Sequence, residues 1–301
     1  MIKNITIINH LNESLTIDMR FPEKSGFLIR NIEGLGPSKA SINMEEMAGA
    51  DGSSYNSSRA LSRNIVLTLG FLENPTIEIT RQNSYKYFPI KRRVGIFIET
   101  DTRICGVYGY VESNEPNIFS SMEESIISIL CPDSYLYSIN GAVTNFSAVT
   151  GMFQFPFSNE SLSEKLIKFG LIEINSAKTV YYTGDSPVGV VIYIHAIGPA
   201  TDVEIINLRS AETMKIDTTR LAALTGFGIL EGDDIIISTV KGDKYVRLLR
   251  DGDYYNILNA LDKDADWFQI EKGNNPFVYT AATGSTNLQF RFENQIAYEG
   301  I

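Results

Sequence analysis

The sequence is poor in the residues that carry most protein chemistry: 301 residues include two His, two Cys and one Trp. Structural zinc needs Cys and His clustered at close spacing, whereas His10, Cys105, Cys131 and His195 stand singly. A serine or cysteine triad has only two candidate bases here. His195 sits in an apolar alternating run, the setting of a packed or sheet-edge histidine rather than a general base. Two cysteines in a chain of this size fit free, half-buried thiols and a reducing compartment, with no need of a disulfide.

Phosphate cradles are missing as well. No Gly-x-x-x-x-Gly-Lys-Ser/Thr occurs, and Gly226-Phe227-Gly228 lacks the third glycine of a dinucleotide fingerprint. There is no Gly-x-Ser-x-Gly elbow. Asp262-Lys263-Asp264-Ala265-Asp266 opens with calcium-loop spacing, but Trp267 and Gly273 stand where that loop needs glycine and a bidentate glutamate. The 36 acidic residues permit some glycosidase-like carboxylate pair, and no spacing selects one. The expectation is a chain without catalytic residues, metal or cofactor.

Long apolar runs are absent too. The most apolar stretch, 188–197, is too short to span a bilayer and carries His195. The opening Met1-Ile2-Lys3-Asn4-Ile5-Thr6 lacks the apolar core of a secretory signal, so synthesis in a cytoplasm and no membrane association are expected. Basic charge is in deficit, 26 Lys plus Arg against 36 Asp plus Glu, for a net charge of -10. A phosphate-backbone binder needs the opposite balance, so sequence-specific nucleic-acid binding is disfavoured. Lys91-Arg92-Arg93 is a local exception and reads as a solvated face.

What is present is strand. Hydrophobic residues make up 44% of the chain, enough for real cores, and 301 residues suggest two domains. Ile5-Thr6-Ile7-Ile8 and Ser14-Leu15-Thr16-Ile17-Asp18 read as an opening hairpin. Alternating runs recur at 27–32, 64–69, 94–98, 104–111, 125–130, 179–182, 188–196, 203–206, 235–239, 245–248, 277–279 and 288–292. Lys241-Gly242-Asp243-Lys244 between two of them is a tight-turn signal. Helix is expected only at 80–93, short or kinked because of Pro89, and from a capping box at Ser161-Leu162-Ser163-Glu164. The fold class is therefore all-β with at most one or two short helices, ending in a sandwich of antiparallel sheets. The two domains are placed at 1–145 and 146–301, with the junction inside the Gly- and Pro-punctuated stretch 133–157.

Two features stand out as candidate sites. Residues 44–61, rich in Gly, Ser, Asn and Asp around Gly49, Asp51, Gly52, Ser53 and Tyr55, are too polar for a core and long for a connection. They read as a functional loop. Trp267 reads either as a core or rim residue, or as a platform stacking on a glycan.

The order of short motifs along the chain resembles the distal tail protein family of long-tailed (siphovirus-type) bacteriophages. The matching pieces in the first half are Phe27-Leu28-Ile29-Arg30-Asn31-Ile32-Glu33-Gly34-Leu35-Gly36-Pro37, Asp51-Gly52-Ser53, Arg63-Asn64-Ile65, Tyr108-Gly109-Tyr110-Val111-Glu112-Ser113-Asn114-Glu115, Phe119-Ser120 and Ile127-Ser128-Ile129-Leu130-Cys131-Pro132-Asp133-Ser134-Tyr135-Leu136-Tyr137. Phe155-Pro156-Phe157-Ser158, Asn256-Ile257-Leu258-Asn259, Asp266-Trp267, Lys272-Gly273-Asn274-Asn275 and Tyr298-Glu299-Gly300-Ile301 continue the series.

The resemblance implies structural work in the virion, without turnover. It implies an N-terminal ring-forming domain, a C-terminal galectin-like β-sandwich, and a homo-hexameric ring at the tail tip. The implied partners are the tail tube protein, the tail-tip hub (tail-associated lysin-like) protein, the tape-measure protein and receptor-binding proteins, around a channel for DNA. In that setting the loop carrying Gly49, Asp51, Gly52, Ser53 and Tyr55 is expected to be an arm reaching a neighbouring subunit. The alternative is a carbohydrate-binding module for host-surface glycans built on Trp267.

Overall fold

A computed structural model describes residues 1–47, 49, 51–120, 122–151, 170–174 and 176–301. They divide into two compact units, Met1–Asn140 with Ala297–Ile301, and Gly141–Ile296. A boundary drawn along the sequence at 145/146 keeps the last residues with the second domain. In space Ala297–Ile301 belongs to the first unit, because the strand Ala297–Tyr298 pairs antiparallel with Leu136–Ser138.

The first unit holds β1 (Ile2–Ile8), β2 (Ser14–Asp18), β3 (Phe27–Glu33), β4 (Ala40–Glu46), β5 (Ser53–Ala60) and β6 (Arg63–Phe71). Helix α1 (Ile77–Tyr87) follows, then β7 (Arg93–Thr100), β8 (Ile104–Asn117), β9 (Glu124–Cys131) and β10 (Leu136–Ser138). One antiparallel sheet runs β2-β1-β7-β8-β9-β6-β3. Alternate side chains point to one face, so Ile5, Ile7, Ile17, Ile65, Leu67, Leu69, Ile96, Ile98, Ile127 and Ile129 meet in one buried cluster. The opposite face stays open to solvent, as antiparallel sheets allow.

The helix lies earlier than the sequence suggested. Thr76 caps it by accepting from the Ile79 amide, and it stops at Phe88 because the residue before Pro89 is pushed out of helical geometry. Cys105 and Cys131 are free and fully buried rather than half-buried. Burial raises both thiols, Cys131 to about 11, so little thiolate exists at neutral pH. Labelling of native protein with a disulfide reagent at pH 8 is expected to run at least about a hundredfold slower than in denaturant. Stopped-flow absorbance measures both rates.

The second unit contains β11 (Ala142–Asn145), β12 (Ser147–Gly151), β13 (Gly170–Ile174), β14 (Ala177–Tyr182), β15 (Val188–Gly189), β16 (Val191–Ala196), β17 (Thr201–Asn207) and β18 (Glu212–Ile216). After α2 (Thr218–Thr225) come β19 (Asp234–Ser238), β20 (Tyr245–Arg250), β21 (Asp253–Asn256), β22 (Gln269–Ile270), β23 (Gly273–Thr283) and β24 (Leu288–Asn294). The strand Ala297–Tyr298, back in the first unit, is β25. A sheet ordered β11-β24-β16-β19-β20-β21 and another ordered β14-β23-β17-β18 bury their facing side chains in one core. At its centre Tyr279 stacks on Phe290 at 3.8 Å, and Phe146 on Phe292 at 4.9 Å. This is the expected sandwich.

Helix α2 went unread in the sequence. Asp217 caps it through the Thr219 and Arg220 amides, and Gly226 ends it in left-handed geometry, so its local signals were present. The capping box expected at 161–164 lies outside the described residues. Near α2, Arg250 grips the buried Asp233 through Nε at 2.7 Å and Nη2 at 2.5 Å, and donates to the Gly228 carbonyl at 2.6 Å. Asp233→Asn keeps the shape but removes the charge from a pair exposed only 11% and 2%. A loss of about 2 kcal/mol in the second unit is expected. Urea unfolding followed by fluorescence would measure it.

Candidate functional site

The polar segment 44–61 is not an irregular loop. Together with the residues before it, it forms an antiparallel ribbon of β4 and β5, a two-stranded sheet with no third strand among the described residues. Serine and asparagine carry little strand propensity, so composition suggested a loop where backbone pairing makes a ribbon. Every residue of both strands is exposed. Gly49 and Gly52 lie in the turn with φ of 84° and 96°, Ser53 faces Glu46 across the first rung of β5, and Tyr55 faces Met44.

The register separates two unlike faces. Ala40/Ala60, Ile42/Ser58 and Met44/Tyr55 are cross-strand pairs on one face, and a bulge after Asn43 keeps Tyr55 there. Tyr55 Oη and Ser58 Oγ lie 2.8 Å apart and tie this face together. Ser41/Arg59, Asn43/Ser57 and Glu45/Ser54 make up the other. The result is an apolar stripe lying in water, with Ile42, Met44 and Tyr55 exposed by 55%, 55% and 63%. An isolated two-stranded hairpin is marginal at best without an apolar surface to pack on.

The base of the ribbon, in contrast, is held tightly. The Leu61 amide donates to the Lys39 carbonyl at 2.8 Å, Ser134 Oγ to the Leu61 carbonyl at 2.7 Å, and Ser38 Oγ to the Ser134 carbonyl at 2.8 Å. Behind this base sits Arg63, only 2% exposed. Its guanidinium donates to the carbonyls of Gly34, Gly36 at 2.6 Å, Ser134 at 2.8 Å and Glu299 at 2.7 Å. None of these partners is a carboxylate. Burial lowers the Arg63 pKa, yet a guanidinium stays protonated. The four carbonyl dipoles therefore solvate a buried cation in place of water. Arg103 adds a bond to the Gly300 carbonyl at 3.2 Å and lies over the Tyr298 ring at 4.4 Å. The end of the chain is thus part of the base that supports the ribbon.

The remaining candidates lie elsewhere. Trp267 is half-buried against the second core, with Lys244 Nζ 5.1 Å from its ring centroid. Asp262 and Asp266 hold local structure, through Arg220 and the Thr213 amide respectively. His195 is exposed and bonded through Nδ1 to Asp234 Oδ1 at 2.7 Å. It lines an open cleft of about 370 Å³ with Ser147, Tyr193, Gln289 and Arg291. Among the described residues no hydrogen bond joins Ser147 to His195, whose Nδ1 is taken by Asp234. Sequence reasoning missed the His195–Asp234 pair and the Arg63 cluster, because their members are far apart along the chain.

No protein-family model and no curated protein matches the sequence. The fold, however, is similar to that of solved phage structures. The Dit protein (gp 19.1) of phage SPP1, described as a paradigm of the hub adsorption apparatus in Gram-positive infecting phages, superposes with a TM-score of 0.66. That match covers 97% of this chain and 99% of the other at 14% identity. A chain of the phage P2 baseplate in its activated conformation with Ca superposes over all of both chains, at 12% identity and a TM-score of 0.54. Among the described residues no helix is long and apolar enough to cross a membrane.

Proposed function

We propose that this chain is a distal tail protein: a structural component of a phage tail tip whose copies join in a hexameric ring. In this reading the ring sits between the tail tube and the tail-tip hub, carries receptor-binding components, and leaves a channel for the tape-measure protein and DNA. The role involves no turnover. The observation that carries it is the ribbon, whose apolar stripe is uncovered in a single chain although its base is firmly held. Such a ribbon is an arm that needs a neighbour. The arm and whatever receives it are different surfaces of one chain, and repeating such a contact by rotation closes a ring. The Dit-like fold of both units supports the placement at a tail tip. A net charge of -10 suits a conduit that DNA passes without adhering.

The competing glycan-binding reading depends on an open Trp267 face, and the core on one side with Lys244 over the ring leaves little of it free. Imaging the chain mixed with a phage tail tube protein tests the tail role. Sixfold rings capping tube ends are expected; uncapped tubes and dispersed single chains would refute it.

A further inference from the structure

We propose that the ribbon of one copy docks, apolar stripe down, on the open face of the first unit's sheet in a second copy, around Arg93, Tyr108, Tyr110 and Leu130. This rests on the ring reading above and names the surface that receives the arm. The register places Arg93, Tyr110, Leu130 and Asn64 in one row across β7, β8, β9 and β6. Tyr108, Tyr110 and Leu130 are exposed by 45%, 49% and 41%, although they lie within the strands of a well-packed sheet.

The floor beside that row is flat because the aromatic rings lie over glycine. A Cβ on Gly95 would come within 2.8 Å of both the Tyr108 and Phe97 rings. Phe97 and Tyr108 meet edge-on at 5.6 Å, and the Arg93 guanidinium stacks on Tyr108 at 3.9 Å. These rings are fixed before any partner arrives, so little side-chain freedom is lost on docking.

Charge selects the occupant. Lys91, Arg92 and Arg93 are exposed at the edge of this surface in a chain that is otherwise acidic. None of the three has an acidic partner among the described residues. The ribbon carries the complement: Glu46, which with Ser53 continues the face of the stripe toward the tip, and Asp51 in the turn, both exposed and likewise without an ion pair there. An acidic tip beside an Ile42–Met44–Tyr55 stripe matches a basic edge beside a Tyr108–Tyr110–Leu130 floor in both charge and polarity. Each chain offers one of each, so the contact is heterologous and suits a ring.

The test mixes two differently tagged full-length variants, Met44→Cys and Tyr110→Cys, under mild oxidation, with Thr16→Cys on the far strand of the same sheet as control. Particle averaging of the same sample records rings. Cross-linked pairs of Met44→Cys with Tyr110→Cys chains, at least about tenfold over the Thr16→Cys control, are expected. In a second arm, Glu46→Lys with Asp51→Lys, or Lys91→Glu with Arg92→Glu, should each reduce ring formation about tenfold, and mixing the two reversed chains should restore it. Rings that form without the Tyr110→Cys cross-link, or with equal cross-linking at Thr16→Cys, overturn this docking surface and leave the ring standing. Absence of any self-association overturns the ring reading and the docking together.

Discussion

Arg63→Met should destabilise the first unit by about 4 kcal/mol, enough to lower its thermal midpoint by about 12 °C. The substitution keeps most of the apolar stem and removes only the guanidinium. The carbonyls of Gly34, Gly36, Ser134 and Glu299 then lose a shared donor in a region that was organised around it. Hydrogen bonds to a charged donor are worth more than neutral ones, and the cost of having buried the cation is recovered only in part. Arg63→Lys should rescue little, since one ammonium cannot present the planar fork that reaches four separate carbonyls. Differential scanning calorimetry would give the midpoint. A second readout is limited proteolysis, because residues 297–301 are held in place partly by this side chain and should become cleavable.

Deleting residues 49–58 should leave each chain folded and abolish ring assembly. No residue of β4 or β5 belongs to either buried core. The bond that closes the ribbon's base, from Leu61 to Lys39, lies outside the deletion. Surface segments with no buried contacts contribute little to stability, so the thermal midpoint should move by about a degree or less. Assembly is a different matter, because the apolar stripe loses Tyr55 and Ser58 and the acidic turn goes with them. Circular dichroism and analytical ultracentrifugation separate the two effects. Stable rings of the shortened chain would show that the ribbon is not the arm.

Much of the fold was legible in the sequence for a simple physical reason. Strands such as β6 and β9 bury every second side chain, so Ile65, Leu67 and Leu69 or Ile127 and Ile129 advertise their period directly. The ribbon was legible as a polar, exposed segment and not as a strand pair, since its serines and asparagines owe their extended form to pairing rather than to propensity. Helix α1 lies a few residues ahead of its expected place because Pro89 marks its exit and not an interior kink. Arg63 stands in one of the matched motifs, Arg63-Asn64-Ile65, but the cluster it organises was not legible in the sequence. Its partners stand from 27 to 236 residues away and contribute backbone carbonyls, which carry no side-chain signature. The row proposed to receive the ribbon is hidden for the same reason, since Arg93, Tyr110, Leu130 and Asn64 become neighbours only through strand register.

Native mass spectrometry of the purified full-length chain, alone at high concentration and after addition of the tail tube protein, tests the ring most directly. A dominant species of six times the chain mass is expected, dissociating as salt rises because salt would screen the proposed contact between unlike charges. A strictly monomeric chain under both conditions would contradict it.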